Sequence, residues 1–580
     1  MLETEKIRQL IAQALTARTF SYSPYSHFQV GAALLTKDGK IYSGCNIENA
    51  AYGPSNCAER TAIFKAVSEG QLKFAAIAVT GGKEGEHDYA APCGVCRQVM
   101  MEFCEPDFEI IVAKSETEYK VYTLKELLPE EEQIYNDKES EKLRRMNIRF
   151  YNAKILTMEE PVQVTEGQLW VSGQKIVYVG PDEEIETVYE KSGLQTILWD
   201  REIDCEGNLL MPGFKDAHAH SAMVLFRSIA DDEPLQGWLE KRIFPVEAKM
   251  TGEDVYELTK MSVLEYLTSG ITAVFDMYLT PETIINAYTE CGMRNVQVSG
   301  LNMFGPTPEV MEERFLKLNG VNSLSSYMLG IHAEYTCPKE LLLQVAEIVK
   351  RHKAPFFTHL AETKREVEEC KERYGMTPTQ LLNDLGLFDY GGGGYHCVYM
   401  DDKDIEIFKE KKLTAVTNPA SNLKLASGIA PVTEYLKLGI PVAIGTDGPA
   451  SNNCLDMFRE MFLVTALAKY RENDASAVDA AEVLKMATTG GAKAMNLPDC
   501  DVLVKGKQAD LIMIDLHQPN MQPIHNIRKN LVYSGSKQNV KMTMVAGKIL
   551  YEDGEFFIGT DAAHIYEKAN EITQRIMSEI

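Results

Sequence analysis

Three cysteines and a glutamate stand near two predicted helix starts in the N-terminal part of the chain. Cys57 and Glu59 lie in NCAER, which continues with apolar residues at helical spacing, and Asn56 is the expected N-cap. Cys93 and Cys96 form a C-x-x-C motif in PCGVC, which opens a second helix. Three thiolates with one open position are the donor set of a catalytic zinc ion, because a closed four-ligand site cannot bind water. The spacing therefore predicts a zinc site.

Glu59 gives this predicted zinc site a group that can move protons. Zinc lowers the pKa of bound water to about 7, so a nucleophile is available at neutral pH. Glu59 stands where a carboxylate could carry a proton from that water to a leaving amine. The pattern C-x-E followed by P-C-x-x-C is that of zinc deaminases, in which the glutamate is general acid and base rather than a ligand. A structural zinc knuckle is the competing interpretation, but no fourth ligand sits at structural spacing.

The segment SPYSHFQVGAALLTKDGKIYSGCNIENAAYGPSNCAERTA resembles the cytidine deaminases of the small, three-cysteine type, and the resemblance extends through PCGVCRQVMMEFC to about Leu128. It implies that Phe28 packs against the pyrimidine, that Asn46 and Glu48 hydrogen-bond the ribose hydroxyls, and that the protein is a homo-oligomer, a dimer or tetramer. Asparagine and glutamate are also the donor and acceptors that a vicinal diol requires. Without the resemblance, Phe28 would be assigned to core packing and the two polar residues to a turn.

A second group of metal-ligand types follows in the larger C-terminal part. His218 and His220 form an H-x-H motif at the end of a strand candidate, and residues two apart on a strand face the same way. An isolated H-x-H is a weak signal that often marks surface histidines. Further candidates lie at the C-terminal ends of other strand candidates, where barrel active sites are built: His332, His359, Glu362, His396 and Asp447.

These residues fit hydrolysis at one divalent metal ion, with neutral nitrogen ligands from His218, His220 and His359. Asp447 would touch the metal and take the proton of the attacking water, and His396 could polarise that water and the developing oxyanion. Glu362 could protonate a ring nitrogen so that an amine leaves, and His332 is assigned to substrate binding. A site of three histidines and an aspartate accepts zinc or iron, so either Zn²⁺ or Fe²⁺ is expected.

Residues from about 146 to 565 resemble the amidohydrolase superfamily, and within it the methylthioadenosine/S-adenosylhomocysteine deaminases and their chlorohydrolase relatives. The resemblance is carried by MPGFKDAHAHSAM, DDEPLQGWLEKRIFPVEAKM, GITAVFDMY, THLAETKREVEE, NPASNLKLASGIAPV, IGTDGPASNN and LVKGKQADLIMIDL. It implies an adenosine-type substrate: methylthioadenosine, S-adenosylhomocysteine or adenosine.

Shifts in composition and in the strand and helix patterns divide the chain and predict an α/β protein. The strand candidates between His218 and Asp447 alternate with amphipathic helices, which is typical of a barrel. GGGG at 391–394 is predicted to be a loop. The predicted parts are a mixed sheet with helices on both faces (1–128), a charged linker (129–145), a flanking β-sandwich (146–210 plus 498–560), a (β/α)8 barrel (211–497) and a C-terminal helix (561–580).

Acidic residues outnumber basic ones by 84 to 59, which gives a formal net charge of −25. This charge opposes binding to nucleic acid or anionic membranes and suits small-molecule nucleoside substrates. No apolar run approaches membrane-spanning length, and the start, MLETEKIRQL, lacks the apolar core of a signal peptide. Twelve cysteines are expected as reduced thiols and metal ligands, so we predict a cytoplasmic protein without nucleic-acid or membrane partners.

The sequence therefore predicts a bifunctional hydrolytic deaminase. The N-terminal part would deaminate cytidine or deoxycytidine, and the barrel would deaminate an adenosine-type substrate. Alternatively, the barrel acts on a guanine-like or chlorinated heterocycle, or it is a non-catalytic scaffold. A scaffold would need none of the barrel residues named above. A polynucleotide-editing deaminase would use the same zinc chemistry, but the negative charge and the lack of a basic, aromatic groove disfavour it.

Overall fold

The computed structural model describes residues 2, 4–49, 55–83, 85, 87–105, 107–127, 146–192, 194, 197–229, 231–232, 237 and 242–579. The chain forms two compact units, Met1–Lys142 and Leu143–Ile580. The predicted linker 129–145 lies outside the described residues. Within the described residues, none of the helices combines the length and the apolar character that crossing a membrane requires.

The first unit is built on a mixed five-stranded sheet in the order β2-β1-β3-β4-β5, with β3 and β4 parallel and the other neighbours antiparallel. Its strands are β1 (Phe28–Thr36), β2 (Ile41–Cys45), β3 (Phe74–Lys83), β4 (Glu109–Ala113) and β5 (Tyr119–Thr123). Its helices are α1 (Thr4–Arg18), α2 (Ala58–Ser68), α3 (Gly94–Phe103) and α4 (Leu124–Leu127).

Helices cover both faces of this sheet, as predicted. In β1, Ala33 and Leu35 pack with α1, whereas Ala32 and Leu34 pack with α2 and α3, because successive strand residues face opposite sides. Gly44 in β2 lets α2 approach the strand closely, since a Cβ there would lie 2.5 Å from the Ala58 carbonyl oxygen. The first turn of α2 is thereby held against the sheet.

Strands before and after the barrel in the second unit join in one nine-stranded sheet, to which both predicted flanking segments contribute. The order is β22-β21-β20-β19-β10-β6-β7-β8, and β9 pairs with β6. The strands are β6 (Asn147–Leu156), β7 (Val164–Ser172), β8 (Lys175–Gly180), β9 (Arg201–Asp204), β10 (Leu209–Pro212), β19 (Leu511–Ile514), β20 (Val540–Val545), β21 (Lys548–Glu552) and β22 (Glu555–Phe556).

Between these segments lie eight parallel strands in chain order, β11 to β18, and a parallel bridge between Ala219 and Asp447 joins the two edges. This confirms the predicted barrel. The strands are β11 (Phe214–Ala219), β12 (Ile271–Asp276), β13 (Arg294–Val298), β14 (Ser325–Ala333), β15 (Phe356–Leu360), β16 (Gly392–His396), β17 (Thr414–Thr417) and β18 (Val442–Ile444).

Most α-helices of the second unit lie between or after the barrel strands, and the last one closes the chain. They are α5 (Ile185–Ser192), α6 (Phe244–Glu247), α7 (Gly252–Thr268), α8 (Pro281–Cys291), α9 (Pro308–Leu318), α10 (Lys339–His352), α11 (Lys364–Tyr374), α12 (Pro378–Asp384), α13 (Asp402–Lys411), α14 (Pro419–Lys424), α15 (Val432–Lys437), α16 (Met457–Glu472), α17 (Ala480–Lys485), α18 (Gly491–Ala494), α19 (Ile527–Tyr533) and α20 (Ala562–Ser578).

The prediction of a loop at 391–394 is wrong, because Gly392 to Gly394 begin strand β16. A Cβ on Gly392 would lie 1.9 Å from the Phe356 carbonyl oxygen, and one on Gly393 would lie 2.0 Å from that of Thr414. The glycines thus allow the backbones of β15, β16 and β17 to approach closely. This packing places His396 at the end of its strand.

A buried ion pair joins the barrel to the nine-stranded sheet. The Arg294 guanidinium, at the start of β13, donates to both carboxylate oxygens of Asp510, with Nε–Oδ2 at 2.6 Å and Nη2–Oδ1 at 3.0 Å. Asp510 immediately precedes β19, and both side chains are buried. Burial alone would raise the pKa of Asp510, but the Arg294 charge holds it below its ordinary value.

Asp510→Asn should lower the free energy of unfolding of the Leu143–Ile580 unit by about 3–5 kcal/mol, because the Arg294 charge stays buried without its counter-ion. Asp553→Asn, in the exposed turn between β21 and β22, is the control and should change stability by less than about 0.5 kcal/mol. Urea unfolding read by pulse proteolysis separates fragments of the two units. Equal stability of the two variants would contradict a stabilising role for the pair.

Candidate active sites

The three predicted zinc-binding cysteines come together in the first unit. Their Sγ atoms lie 3.8 Å apart for Cys57 and Cys93 and 3.6 Å apart for Cys93 and Cys96, and all three lie within 4.8 Å of one another. Cys57 is the N-cap of α2 and Cys93 is the N-cap of α3. The cap of α2 is therefore Cys57 and not Asn56, whose amide instead donates to the Thr61 hydroxyl at 3.2 Å.

The electrostatics of this cluster suit a divalent cation. The Cys96 thiol, together with the Arg60 guanidinium, whose Nη2 lies 3.7 Å from Cys57 Sγ, lowers the pKa of Cys57 to about 5. A thiolate is the form of cysteine that binds metal. The backbone N–H groups at the two helix starts add positive potential. The cluster thus has the donor atoms, the geometry and the charge for zinc.

Glu59 lies beside the cysteines, in the first turn of α2. Its side chain is 4% exposed, and burial raises the pKa of its carboxyl to about 7, with a further contribution from Cys57. The carboxyl also interacts with Cys96. A group that holds or releases a proton near neutral pH is what general acid–base catalysis requires.

The three residues expected at a pyrimidine nucleoside lie around the start of β1. Phe28 is 36% exposed and packs over Gly81. Asn46 holds β1 in place: its Oδ1 accepts from Val30 N at 2.8 Å, and its Nδ2 donates to Phe28 O at 2.9 Å. Glu48 accepts from the backbone N of Tyr25 at 3.0 Å and from Ser26. Both polar side chains therefore shape the turn before β1.

In the barrel, His220 and His359 direct their Nε2 atoms at each other. The Nδ1 atom of His220 is hydrogen-bonded to the Met277 carbonyl, and that of His359 to the His332 carbonyl at 2.6 Å. Because each Nδ1–H donates to a carbonyl, each Nε2 carries a lone pair, and the two Nε2 atoms lie 3.3 Å apart. Two facing lone pairs repel unless a cation lies between them, so the residues fit a metal ion.

His218 and Asp447 complete this donor set. The His218 side chain is fully buried, and neither of its ring nitrogens has a hydrogen-bond partner among the described residues. Asp447 Oδ1 lies 3.5 Å from His218 Nε2 and 3.3 Å from His220 Nε2. The Tyr395 ring stacks on His218 with centroids 3.8 Å apart, which fixes the imidazole plane. The two His218 ring nitrogens, buried without a hydrogen-bond partner among the described residues, are a second indication of a metal site.

Glu362 and His396 face each other at the edge of this cluster, with Glu362 Oε2 3.8 Å from His396 Nε2. Burial raises the pKa of Glu362, which favours a carboxyl that carries a proton. His332 lies behind His359, with ring centroids 4.9 Å apart, and its Nδ1 contacts the Thr336 hydroxyl at 3.2 Å. Burial lowers the pKa of His332 to about 4, so its ring is neutral.

One carboxyl at this site is absent from the residues predicted from the sequence. Glu247, at the end of α6, interacts with the Tyr278 hydroxyl and lies near His220, and burial raises its pKa. Its position in IFPVEAKM, one of the stretches with family resemblance, was the available signal. That stretch has no strand-end pattern, so residue spacing alone could not identify Glu247 as a residue of the site.

Comparison with known proteins covers both units. The model of the amidohydrolase family matches residues 209–550. The model of the cytidine and deoxycytidylate deaminase zinc-binding region matches residues 4–112. The two matches do not overlap, and each contains one of the metal-ligand clusters described above.

Individual relatives match the C-terminal part. The 5-methylthioadenosine/S-adenosylhomocysteine deaminase of Caldanaerobacter subterraneus subsp. tengcongensis is 39% identical over 445 residues, which cover 74% of this chain and 99% of that protein. The protein of the same name from Pelotomaculum thermopropionicum is 37% identical over 438 residues, with the same coverage. A crystal structure of an adenosine deaminase from Xanthomonas campestris with bound zinc is 31% identical, with a TM-score of 0.68, covering 75% of this chain and 99% of that one.

Proposed function

The chain belongs to the amidohydrolase family through residues 209–550 and carries a cytidine deaminase zinc-binding region in residues 4–112, and on this premise we propose that it is a bifunctional hydrolytic deaminase. Both families are hydrolases that act on carbon–nitrogen bonds, and this chain is such an enzyme. The first unit would convert cytidine or deoxycytidine to uridine or deoxyuridine. The barrel would remove the amino group of an adenosine-type substrate. Water supplies the new oxygen, and ammonia leaves.

The two metal sites carry this proposal, because each cluster of ligands has a buried carboxyl beside it that can transfer protons. The N-terminal region is a zinc-binding region, and the barrel has the donor set of one divalent ion, zinc or iron. A metal ion bound at either site activates the water that attacks the substrate. The remaining steps fall to side chains of the chain itself.

In the first unit, Glu59 would take a proton from the attacking water and deliver it to the leaving amine. Its burial supports this role, because its pKa of about 7 lets the carboxyl both accept and donate near neutral pH. Phe28, at the start of β1, offers an exposed aromatic face to the pyrimidine. Asn46 and Glu48 would position the ribose, either directly or through the turn that they hold.

In the barrel, Asp447 would accept the proton of the attacking water. His396 would accept a hydrogen bond from the attacking water at Nε2 and so orient it. Glu362, whose Oε2 lies 3.8 Å from His396 Nε2, would protonate the ring nitrogen beside the amine. Glu247, which lies near His220, would accept hydrogen bonds from substrate hydroxyls. His332 would contact the substrate next to His359.

The adenosine-type assignment is supported by relatives of 37–39% identity that carry the name 5-methylthioadenosine/S-adenosylhomocysteine deaminase over almost their whole length. We propose methylthioadenosine, S-adenosylhomocysteine or adenosine as the substrate. A guanine-like or chlorinated heterocycle is the competing class. The scaffold alternative loses support because the barrel retains a complete set of convergent ligands.

Ammonia release by zinc-loaded Glu59→Gln protein identifies the activity of the barrel, because the first site is then disabled. The panel contains methylthioadenosine, S-adenosylhomocysteine, adenosine and guanine, with chloride release from a chlorinated triazine measured in parallel. We expect turnover of an adenosine-type compound. If metal analysis finds the barrel occupied and no amine is released, the adenosine-type assignment is wrong.

We also propose a homo-oligomer, a dimer or tetramer, that works in the cytoplasm. Large aromatic side chains are exposed beside the predicted pyrimidine site, namely Phe20 at 73%, Tyr22 at 59% and Tyr25 at 60%, and a second copy would bury them. All twelve cysteines lie in the described part of the chain, and no disulfide joins any of them. Reduced thiols support a reducing compartment.

A further inference from the structure

A short segment that follows strand β17, residues 418–427, contacts Asp447, His396 and Glu362, the three barrel residues to which we assign roles in the reaction. It contains α14 and has the sequence NPASNLKLAS. Its asparagine and serine side chains, Asn418, Ser421, Asn422 and Ser427, are buried, although none of them is a metal ligand. Each of the three contacts goes to a different strand end, at β15, β16 or β18.

The first contact fixes the carboxylate of Asp447. The Ser421 hydroxyl donates to Asp447 Oδ2 at 2.5 Å, and the Ser451 hydroxyl donates to the same oxygen at 3.0 Å. With Oδ2 engaged by two hydroxyls, Oδ1 is the oxygen directed at His218 and His220. Ser421 therefore selects which carboxylate oxygen faces the histidines.

The second contact fixes the tautomer of His396. In one orientation of the Asn418 amide, all its hydrogen-bonding contacts are satisfied. Its Nδ2 then donates to the Thr417 and Gly445 carbonyls, each at 3.3 Å, and its Oδ1 lies 3.3 Å from His396 Nδ1. These two carbonyls can only accept, so they determine the orientation of the amide and require that His396 Nδ1 carries the hydrogen. Asn422 Oδ1 accepts from the same Nδ1 at 2.8 Å. The Nε2 atom of His396 is then an acceptor that faces Glu362.

The third contact holds Glu362, whose Oε1 accepts from the Ser427 hydroxyl at 3.3 Å. The segment itself is tied together, because the backbone N of Ser427 donates to the Asn422 carbonyl at 2.8 Å. Glu460 on α16 anchors it from outside: the Glu460 carboxylate accepts from Ala420 N at 3.0 Å and from the Asn452 amide at 2.8 Å.

We propose that residues 418–427 form a positioning segment that orients Asp447, His396 and Glu362 together, with Asn418 and Asn422 jointly setting the His396 tautomer. This inference rests on the proposed function of the barrel. One rigid segment that holds three groups from three strand ends keeps their mutual geometry within the narrow range that catalysis needs. The residues of the segment act through other side chains and are therefore positioning residues.

Asn422→Leu in the metal-loaded full chain tests this role. We expect kcat for the barrel substrate to fall about 100-fold, with KM within about threefold and the metal content unchanged, because a misplaced acid–base group affects the transition state and not binding. Asn422→Asp keeps an acceptor oxygen at Nδ1 and should recover activity to within about tenfold of the wild type. Asn570→Leu on the exposed face of α20 is the matched control.

A readout that does not depend on turnover separates this inference from the proposed function. With ¹⁵N-labelled histidine, NMR of the wild type should show His396 protonated at Nδ1 and unprotonated at Nε2. The double variant Asn418→Leu/Asn422→Leu, which removes both acceptors at Nδ1, should shift these signals towards the other tautomer. An unchanged tautomer in a folded Asn418→Leu/Asn422→Leu protein would overturn the inference even if no substrate has been found. A rise in KM with kcat unchanged, or no recovery in Asn422→Asp, would also overturn it. Absence of any barrel turnover in the wild type would count against the proposed function instead.

Discussion

Glu59→Gln is expected to retain its zinc and to lose cytidine deamination by about 10⁴-fold, the upper end of what one acid–base group contributes. The ligands are three thiolates, so the amide substitution leaves the metal-binding atoms in place. Glutamine has nearly the same shape as glutamate but cannot accept the proton of water or pass it to the amine. Steady-state cytidine kinetics with zinc analysis on the same preparation check this result.

Glu116→Gln is the matched control for this variant. Glu116 is exposed in the turn between β4 and β5 and should tolerate the same change without loss of activity. Near-normal cytidine turnover in Glu59→Gln would show that another group transfers the protons. Loss of zinc together with activity would instead show that Glu59 acts by holding the site together.

Asp447→Asn is expected to reduce barrel turnover by about 10³-fold or more while cytidine deamination stays at the wild-type level. Asp447 would be both a ligand and the acceptor of the water proton, and an amide replaces an anionic oxygen with a neutral one. Its Oδ1, 3.3 Å from His220 Nε2, belongs to the metal cluster of the second unit only. We therefore also expect weaker metal binding at the barrel.

Asp402→Asn, in the exposed first turn of α13, is the control for Asp447→Asn and should leave both activities within about twofold. Simultaneous loss of cytidine deamination in Asp447→Asn, with normal thermal unfolding, would contradict independence of the two sites. Full barrel activity in this variant would remove Asp447 from the mechanism. Assays of both substrates on one preparation separate these outcomes.

The two sites offer a divalent metal ion different donor atoms and therefore balance its charge differently. Three thiolates bring three negative charges to a divalent ion, so the first site depends on helix starts and on Arg60 to offset the excess. Neutral imidazoles bring no charge, so the barrel site has only the Asp447 carboxylate to balance the ion. The barrel instead depends on backbone carbonyls, which fix the tautomers of His220 and His359.

The sequence allowed prediction of those features that follow from short-range spacing. The C-x-x-C motif, the position of Glu59 and the H-x-H motif reveal ligand types, and strand ends place them at the rim of a barrel. The fold class follows from the alternation of strand and helix patterns. The structure brings the predicted ligands together in two separate clusters.

Other features depend on long-range packing that spacing does not encode. GGGG at 391–394 has the composition of a loop, yet Gly392 to Gly394 lie in strand β16, where neighbouring backbones leave no room for a Cβ at Gly392 or Gly393. The contact of Asn422 with His396 joins helix α14 to the end of β16, and no local sequence pattern indicates this contact. The N-cap of α2 is shifted by one residue because the chain before Cys57 pairs as a bridge between Ile47 and Asn56.

The most direct test of two independent deaminases on one chain is the release of ammonia from cytidine and from an adenosine-type substrate by three zinc-loaded proteins: the wild type, Glu59→Gln and Asp447→Asn. The adenosine-type substrate is whichever of methylthioadenosine, S-adenosylhomocysteine and adenosine reacts fastest. The account predicts that the wild type deaminates both cytidine and the adenosine-type substrate, that Glu59→Gln deaminates only the adenosine-type substrate, and that Asp447→Asn deaminates only cytidine. A wild type that deaminates only one of the two, or a single variant that abolishes both activities in folded protein, would contradict it.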